Sequence, residues 1–201
     1  MLRITFIALL TSIALFLSSC GEEEVEPEVP TVKVQNTQPE PKKEAPKPPQ
    51  KKKVLVKNKK AWKVFSSNSS MPDSKPWKAI DGKPNTIWHT EWRPKKPKHP
   101  HHISIDLGKE LEIHGFSYLT RQDKTMNGTI NEYEFYISND KKKWGEPASA
   151  GVFEDIKYDK GLQVVYFDKM IKGRYIKLVA KSEILNQPFA CCAEINVVIE
   201  Q

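Results

Sequence analysis

The fold that this chain can adopt is restricted first by a series of short segments in which apolar and polar residues alternate. In 101–108 the apolar positions are Ile103, Ile105 and Leu107, and 130–137 repeats the pattern. A period of two is typical of half-buried strands. Further β-rich runs cover 111–119, 161–167, 174–180 and 193–199, with glycine and asparagine turns between them. Many short strands over roughly 140 residues predict an all-β fold, a two-sheet sandwich of the jelly-roll type.

The first twenty residues have the order of an export signal. Met1-Leu2-Arg3 is followed by the apolar stretch 4–17 and then by Ser18-Ser19-Cys20. Such a stretch is short for a membrane span and fits the apolar part of a secretory signal peptide. The segment resembles a bacterial lipobox, which implies a lipoprotein signal peptide at 1–19 and lipidation of Cys20. We therefore expect a protein of the bacterial cell envelope that is lipid-anchored to a membrane. The outer membrane is the expected one, with the protein facing the periplasm or the cell surface.

Residues 20–60 are expected to connect the lipidated cysteine to the folded part as a disordered linker. Residues 21–60 contain seven prolines and seventeen charged residues, without hydrophobic periodicity. A segment of this composition buries too little apolar surface to fold. The predicted organisation is a signal peptide at 1–19, the lipidated Cys20 and linker at 20–60, and one folded domain at 61–201.

Charge and cysteine content limit the partners. The chain has a net charge of +7, of which residues 61–201 hold +3, from 21 Lys and Arg against 18 Asp and Glu. So small an excess predicts no nucleic-acid partner. The neighbours Cys191 and Cys192 allow either two buried thiols, which is the preferred interpretation, or a strained vicinal disulfide.

The stretch 78–92 combines two kinds of chemistry. Asp81 and Thr86 offer side-chain oxygens within a turn rich in glycine, proline and asparagine, which suits a hard cation such as Ca²⁺. His89 and Trp92 then offer a polar ring and a flat apolar ring, which suit a sugar. A surface turn followed by a core tryptophan is the alternative interpretation.

Seven short motifs follow one another between residues 79 and 195. They include Ala-Ile-Asp-Gly and Trp-His-Thr, and they occupy 79–92, 100–108, 115–122, 127–130, 133–138, 174–178 and 188–195. Together they resemble the factor V/VIII type C (discoidin) domain and, more narrowly, bacterial carbohydrate-binding modules of family 32. The resemblance covers nearly all of 61–201 and implies a galactose-binding-domain-like β-sandwich.

The resemblance implies a structural Ca²⁺ that joins the turn to the last strand. Its ligands would be the carbonyls of Lys78, Lys83 and Ala193, the carboxylates of Asp81 and Glu194, and both oxygens of Thr86. A set made only of oxygens suits Ca²⁺ better than a transition metal.

The resemblance also implies a site for a galactose-type glycan at His89, Trp92 and Arg121. Trp92 would stack on the apolar face of the sugar, while His89 and Arg121 would form hydrogen bonds with its hydroxyls. Phe189 is either a second apolar wall or a packing residue. Asp73 is the nearest candidate for the acidic residue that such sites use.

The expected function is therefore glycan binding without catalysis. The sequence has no Gly-x-Ser-x-Gly motif and no recognisable pair of catalytic carboxylates, so an enzyme is not expected. One alternative is an adhesion domain for protein or phospholipid, with Met71, Trp77 and Trp92 as exposed apolar tips. Another is a structural lipoprotein of the envelope. Convergence of His89, Trp92 and Arg121 would favour the sugar, whereas separate protruding tips would favour lipid or protein.

Overall fold

The computed structural model describes residues 51–201, which form nine strands and one short 3-10 helix. The strands are β1 (Lys53–Leu55), β2 (Lys63–Ser67), β3 (Trp88–His89), β4 (His101–Leu119), β5 (Glu132–Ser138), β6 (Ser149–Val152), β7 (Gln163–Ala180), β8 (Cys191–Cys192) and β9 (Glu194–Glu200). The 3-10 helix Pro76–Ile80 lies between β2 and β3. The predicted signal peptide, Cys20 and the linker up to residue 50 lie outside the described residues. Within 51–201, no helix is long and apolar enough to cross a membrane.

The strands form one large antiparallel sheet and one small ribbon. The large sheet has the order β1-β9-β4-β7-β5-β6, with β2 paired to β4, and the ribbon consists of β3 and β8. The first half of β4 pairs with β2 and its second half pairs with β9, so this strand takes part in both layers of the sandwich. The predicted all-β sandwich is confirmed.

Runs that the sequence separates are joined into long strands. β4 has 19 residues and contains both 101–108 and 111–119, and β7 has 18 residues and spans most of 161–180. Gly108 has a φ of +81°, and the β4–β7 register shifts between Asp106 and Leu111 and again between Ile113 and Gly115. Irregularities of this kind bend a strand without ending it. The long strands therefore curl around the core.

Stacked aromatic rings fill the space between the layers. The rings of Phe116 and Phe135 are nearly parallel, with centroids 4.0 Å apart. Phe153 stacks on Tyr118 at 5.0 Å and on Tyr133 at 4.4 Å. All five side chains are buried, and each contributes about 1.5–3 kcal/mol relative to exposure.

The folded part begins earlier than the sequence predicts. β1 lies within the predicted linker 20–60, yet Val54 pairs with Ile199 and Leu55 with Val198 on β9. The backbone bonds between Lys52 and Gln201 extend this ladder. Although lysine-rich sequence flanks Val54 and Leu55, an edge strand tolerates charges on its open side. The linker prediction is therefore wrong for this short segment.

Candidate functional site

The β3–β8 ribbon brings three loops to one end of the sandwich. His89 pairs with Cys191 across the ribbon, and the Thr90 N–H donates to the carbonyl of Ala190 at 2.9 Å. The Cys191 N–H donates to the carbonyl of Gly128 at 2.6 Å. Segments 90–93, 121–128 and 186–190 therefore meet around His89.

The ribbon is supported from the core side. Tyr118 donates its O–H to the carbonyl of Cys191 at 2.9 Å and accepts from the Ile130 N–H at 3.1 Å. Cys191 and Cys192 are free and fully buried, which confirms the thiol interpretation. Burial raises the pKa of Cys191 to about 11, so the thiol stays protonated at neutral pH. A buried, protonated thiol contributes to packing.

Gly128 allows the loop to lie directly against β8 and His89. It has a φ of +86°, and an added Cβ would lie 3.0 Å from the Cys191 Cβ and 3.1 Å from His89 Nε2. A side chain here would be strained by the backbone conformation and by these contacts.

His89 sits at the centre of the site as a neutral ring. Its side chain is 1% exposed, and burial is the main reason why its pKa is lowered from 6.5. Nδ1 lies 2.7 Å from the carbonyl of Thr90. A carbonyl only accepts, so Nδ1 carries the proton and Nε2 presents a lone pair. Nε2 is buried and has no hydrogen-bond partner within 51–201, so a donor from outside reaches its lone pair only when a neighbouring side chain moves aside.

Two aromatic rings border His89. The Trp92 ring lies edge-on at 4.9 Å and the Phe189 ring lies tilted at 5.7 Å, both between ring centroids. Trp92 is 36% exposed, whereas Phe189 is half-buried. Phe189 thus lies beside His89, where it is either a wall of the site or a packing residue, and Trp92 keeps part of its ring open to solvent.

Arg121 is held in a fixed orientation by two neighbours. Nε and Nη2 donate to the two carboxylate oxygens of Asp123 at 2.8 and 2.6 Å. Nη1 donates to the carbonyl and side-chain oxygens of Asn127 at 3.0 and 2.7 Å. The guanidinium has five N–H donors, so one N–H on Nη2 remains. The guanidinium also holds the pKa of Asp123 well below its usual range.

Asp123 and Asn127 were not assigned a role from the sequence. The sequence features that could have indicated their contacts with Arg121 are the Arg-x-Asp spacing at 121–123 and the Asn-Gly pair at 127–128. Both are common in turns, so neither pattern by itself indicates that these side chains grip Arg121.

The loop that contains Asp73 runs beside His89. The Met71 N–H donates to the His89 carbonyl at 3.0 Å, and the His89 N–H donates to the Ser74 carbonyl at 3.2 Å. Asp73 is exposed, and its carbonyl accepts from Lys78 Nζ at 2.6 Å. Met71 is buried and Trp77 is 55% exposed, so the three apolar tips of the adhesion alternative do not form a protruding set.

The turn predicted to hold Ca²⁺ is closed by its own hydrogen bonds. Asp81 Oδ1 accepts from the Lys83 N–H at 2.9 Å, and Thr86 Oγ1 donates to Asp81 Oδ2 at 2.8 Å. Thr86 Oγ1 also lies 3.1 Å from the carbonyl of Lys83. Gly82 has a φ of +79°, which closes the turn without strain.

Glu194 is the buried acidic group next to this turn. Burial raises its pKa, and the charge of Asp81 acts in the same direction. Its Oε1 is buried without a partner in the described residues, while Oε2 forms an ion pair with Lys59 Nζ. Both side chains are nearly buried, at 11% and 14% exposure. Ala193 precedes Glu194, and its N–H donates to the carbonyl of Leu119.

The donor chemistry of this second cluster fits a hard cation. It contains two carboxylates, and one carboxylate oxygen lacks a partner. Within 51–201 no group of three or more His, Cys, Asp and Glu side chains is placed to hold a metal. Backbone carbonyls and the Thr86 hydroxyl would therefore have to complete the shell.

Comparison with known proteins relates the chain to sugar-binding domains. Residues 63–195 match the model of the F5/8 type C domain. Galactose oxidase from Gibberella zeae is 39% identical over 121 residues, which are 60% of this chain and 17% of that protein. The chain therefore spans less than a fifth of this relative.

Solved structures of carbohydrate-binding modules are also similar to this chain. The family 32 carbohydrate-binding module of Clostridium perfringens NanJ, in complex with galactose, has a TM-score of 0.63 and 26% identity, covering 73% of this chain and 98% of that one. A second Clostridium perfringens family 32 module, in complex with GalNAc-β-1,3-galactose, has a TM-score of 0.59 and 35% identity, covering 68% and 94%.

Proposed function

Because the chain belongs to the F5/8 type C domain family, we propose that it binds galactose-type glycans without catalysis. One observation carries this proposal. His89, Trp92, Phe189 and Arg121 come from separate parts of the chain and lie around one end of the sandwich. Two modules of similar fold were solved with galactose-containing sugars.

Each side chain has a distinct task in this proposal. The exposed part of Trp92 stacks on the C–H face of the sugar ring. His89 Nε2 accepts a hydrogen bond from a hydroxyl once a neighbouring side chain has moved to uncover it, and the remaining N–H of Arg121 donates one. Asp123 and Asn127 hold Arg121 in place before the sugar arrives, which lowers the entropic cost of binding. A single open site of this kind would bind weakly, with a Kd of about 10 µM to 1 mM.

The test compares two exposed tryptophans. Trp92→Ala should weaken galactose binding by about tenfold or more, since the stacking ring is lost. Trp77→Ala removes a more exposed ring, 55% against 36% for Trp92, outside the site and should leave the affinity unchanged. Isothermal titration of the full chain with galactose measures both. Equal affinities for the two variants would contradict the site, and a blank glycan array with a folded protein would favour adhesion to protein or lipid.

We further propose that Lys78, Asp81, Lys83, Thr86, Ala193 and Glu194 hold a structural Ca²⁺. When bound, the ion would supply positive charge that links the turn 81–86 to the start of β9. The unpartnered oxygen of Glu194 and the nearby carboxylate of Asp81 support this proposal. Since a ligand of the native state stabilises it by mass action, EDTA should lower the melting temperature and Ca²⁺ should restore it. A melting temperature insensitive to both would contradict an exchangeable site.

We also propose that Cys20 carries lipid and anchors the protein in the bacterial envelope, in the outer membrane. The order of the first twenty residues supports this proposal. Cells fed labelled palmitate should incorporate label into the wild-type chain and not into Cys20→Ser. Label in both chains would exclude Cys20 as the acceptor.

A further inference from the structure

A second groove lies on the outer face of the large sheet. β4 and β7 point Ile103, Ile105, Ile176 and Leu178 into the core, so their alternate residues face outward. The outward residues Ser104 and Lys177 are directly opposite each other across the two strands. A groove of about 350 Å³ forms above them, with Phe65 and Trp144 among its walls.

This groove is separate from the candidate galactose site. Its lining shares no residue with His89, Trp92, Arg121 or Phe189. The galactose site lies on the β3–β8 ribbon, whereas the groove rests on β2, β4, β7 and the segment after β5. A ligand in the groove would therefore leave the Trp92 face free.

The groove is basic and has no acidic lining residue. Lys141 and Lys177 line it, with His102 and Ser104. Lys177 Nζ lies 4.3 Å from the Tyr136 ring centre and 4.6 Å from the Trp144 ring centre. Lys177 forms no salt bridge with any residue of 51–201. Aromatic faces stabilise its charge only partly, so an anion can still be bound there.

Two carboxylates, Asp106 and Glu134, lie close to the lysines of the groove. Asp106 accepts two hydrogen bonds from Arg174, at 2.8 and 3.0 Å, and lies 3.8 Å from Lys141 Nζ. Glu134 is bonded to Lys181 Nζ at 2.7 Å and to the Tyr136 hydroxyl at 2.8 Å. Burial lowers the pKa of Lys177, while Glu134 has only a smaller, opposing effect. Lys141 is thus paired with Asp106, and Lys177 is the lysine of the groove that has no carboxylate partner among residues 51–201.

The walls and the floor of the groove suit a sugar ring. Phe65 and Trp144 offer apolar surface, with Lys141 Nζ 5.1 Å from the Phe65 ring centre and Lys177 Nζ 4.6 Å from the Trp144 ring centre. Ser104, which is 2% exposed, forms the buried floor. His102 Nε2 lies 3.0 Å from Ser66 Oγ, so these two polar groups are positioned together at the rim. The volume matches the lower end of small-molecule sites, about 300 Å³ and above. A free inorganic anion would use the two lysines but not the apolar walls.

We propose that this groove binds a uronic-acid unit of an acidic polysaccharide. The carboxylate of the uronate pairs with Lys177 and Lys141. The ring lies against Phe65 and Trp144, with its hydroxyls toward His102. The protein thus has two glycan sites of different charge preference, one neutral and one anionic.

The test uses a short oligogalacturonate and its methyl ester, in which each carboxylate is replaced by an uncharged ester that carries one added methyl group. Titrated into the full chain, the acid should bind about tenfold more tightly than the ester. Lys177→Met keeps the packing between Tyr136 and Trp144 and should remove this preference. Lys172→Met is the matched control. Lys172 is exposed, lies outside the groove, and forms an ion pair with Glu112 at 3.1 Å. This variant should retain the wild-type preference for the acid. Lys141→Met is the second variant if Lys177→Met fails to fold.

Each other outcome overturns the proposal. Equal losses in Lys177→Met and Lys172→Met would indicate binding to diffuse charge. Loss in Arg121→Ala with retention in Lys177→Met would place the uronate in the galactose site. Failure of the acid to bind, together with sedimentation on vesicles containing phosphatidylglycerol, would assign the groove to a lipid headgroup. Failure of the galactose test leaves the groove intact, because Trp92→Ala does not change any groove residue.

Discussion

At the residue scale, Lys59 is the side chain that most directly opposes a cation at Glu194. Its ammonium group forms a nearly buried ion pair with the carboxylate proposed as a Ca²⁺ ligand. Two cations do not share one carboxylate oxygen at close range without strong repulsion. Ca²⁺ would therefore have to compete with Lys59 for Glu194.

Lys59→Met should raise the affinity for Ca²⁺ by about tenfold, equivalent to about 1.4 kcal/mol. Without Ca²⁺ the same variant should melt at a lower temperature, because Glu194 then loses its charge partner. Calorimetric titration and melting curves with and without Ca²⁺ measure the two effects. Lys60→Met, an exposed neighbour, is the control. Unchanged Ca²⁺ affinity in Lys59→Met would show that Lys59 and the cation do not compete.

Asp123 is a positioning residue for Arg121 in the proposed sugar site. Asp123→Asn leaves one neutral acceptor oxygen where Arg121 now has two carboxylate oxygens, so one hydrogen bond is lost and the other loses its charge assistance. We expect galactose affinity to fall by about five- to tenfold while the melting temperature changes little. Asp168→Asn changes an exposed carboxylate on β7 and serves as the control. Equal affinity in the two variants would mean that Arg121 is positioned without Asp123.

At the element scale, β1 turns a lysine-rich segment into part of the sheet. The Lys52–Gln201 pair exchanges two backbone hydrogen bonds. In an antiparallel ladder such pairs alternate with pairs that do not exchange bonds. The N–H of Val54 therefore faces β9, whereas the N–H of Lys53 faces the open edge.

Two proline variants test this edge strand. Val54→Pro removes a ladder bond and should lower the free energy of unfolding by about 1–3 kcal/mol. Lys53→Pro loses an N–H that faces the edge and should have a smaller effect. Chemical denaturation of the full chain measures both. Equal stability of Val54→Pro and wild type would mean that this segment behaves as the linker that the sequence predicts.

At the scale of the whole molecule, buried histidines make stability depend on pH. Burial lowers the pKa of His89, His101 and His102 from 6.5. The unfolded state therefore binds protons more readily than the folded state near this pH. Their contribution is fully present above 6.5 and is lost as pH falls from 6.5 toward the lower folded pKa values.

We expect the melting temperature to be constant from pH 8 to 7 and to fall between pH 6.5 and 5. His101→Gln, which retains a donor for the carbonyl of Pro188, should make this decrease shallower. Scanning calorimetry across the range measures both. A melting temperature that does not change down to pH 5 would mean that these rings titrate alike in the folded and unfolded states.

The order and spacing of residues were sufficient to predict the strands, the family and the residues of the candidate site. Alternation at Ile103, Ile105 and Leu107 predicts strands, because the side-chain period of a strand is local. The seven ordered motifs carry the family, which the match over 63–195 confirms. They also select His89, Trp92, Arg121 and Phe189, which the structure brings to one end of the sandwich.

Other features depend on contacts between residues far apart in the chain, and only the tertiary structure decides them. β1 is a strand because Val54 pairs with Ile199 on β9, more than a hundred residues away in the chain. His89 is held in the site by Cys191, which pairs with it across the β3–β8 ribbon. Lys59 meets Glu194, and Lys177 meets Trp144. Local patterns do not encode such pairings, because burial and charge partners exist only after the sheet has curled around its core.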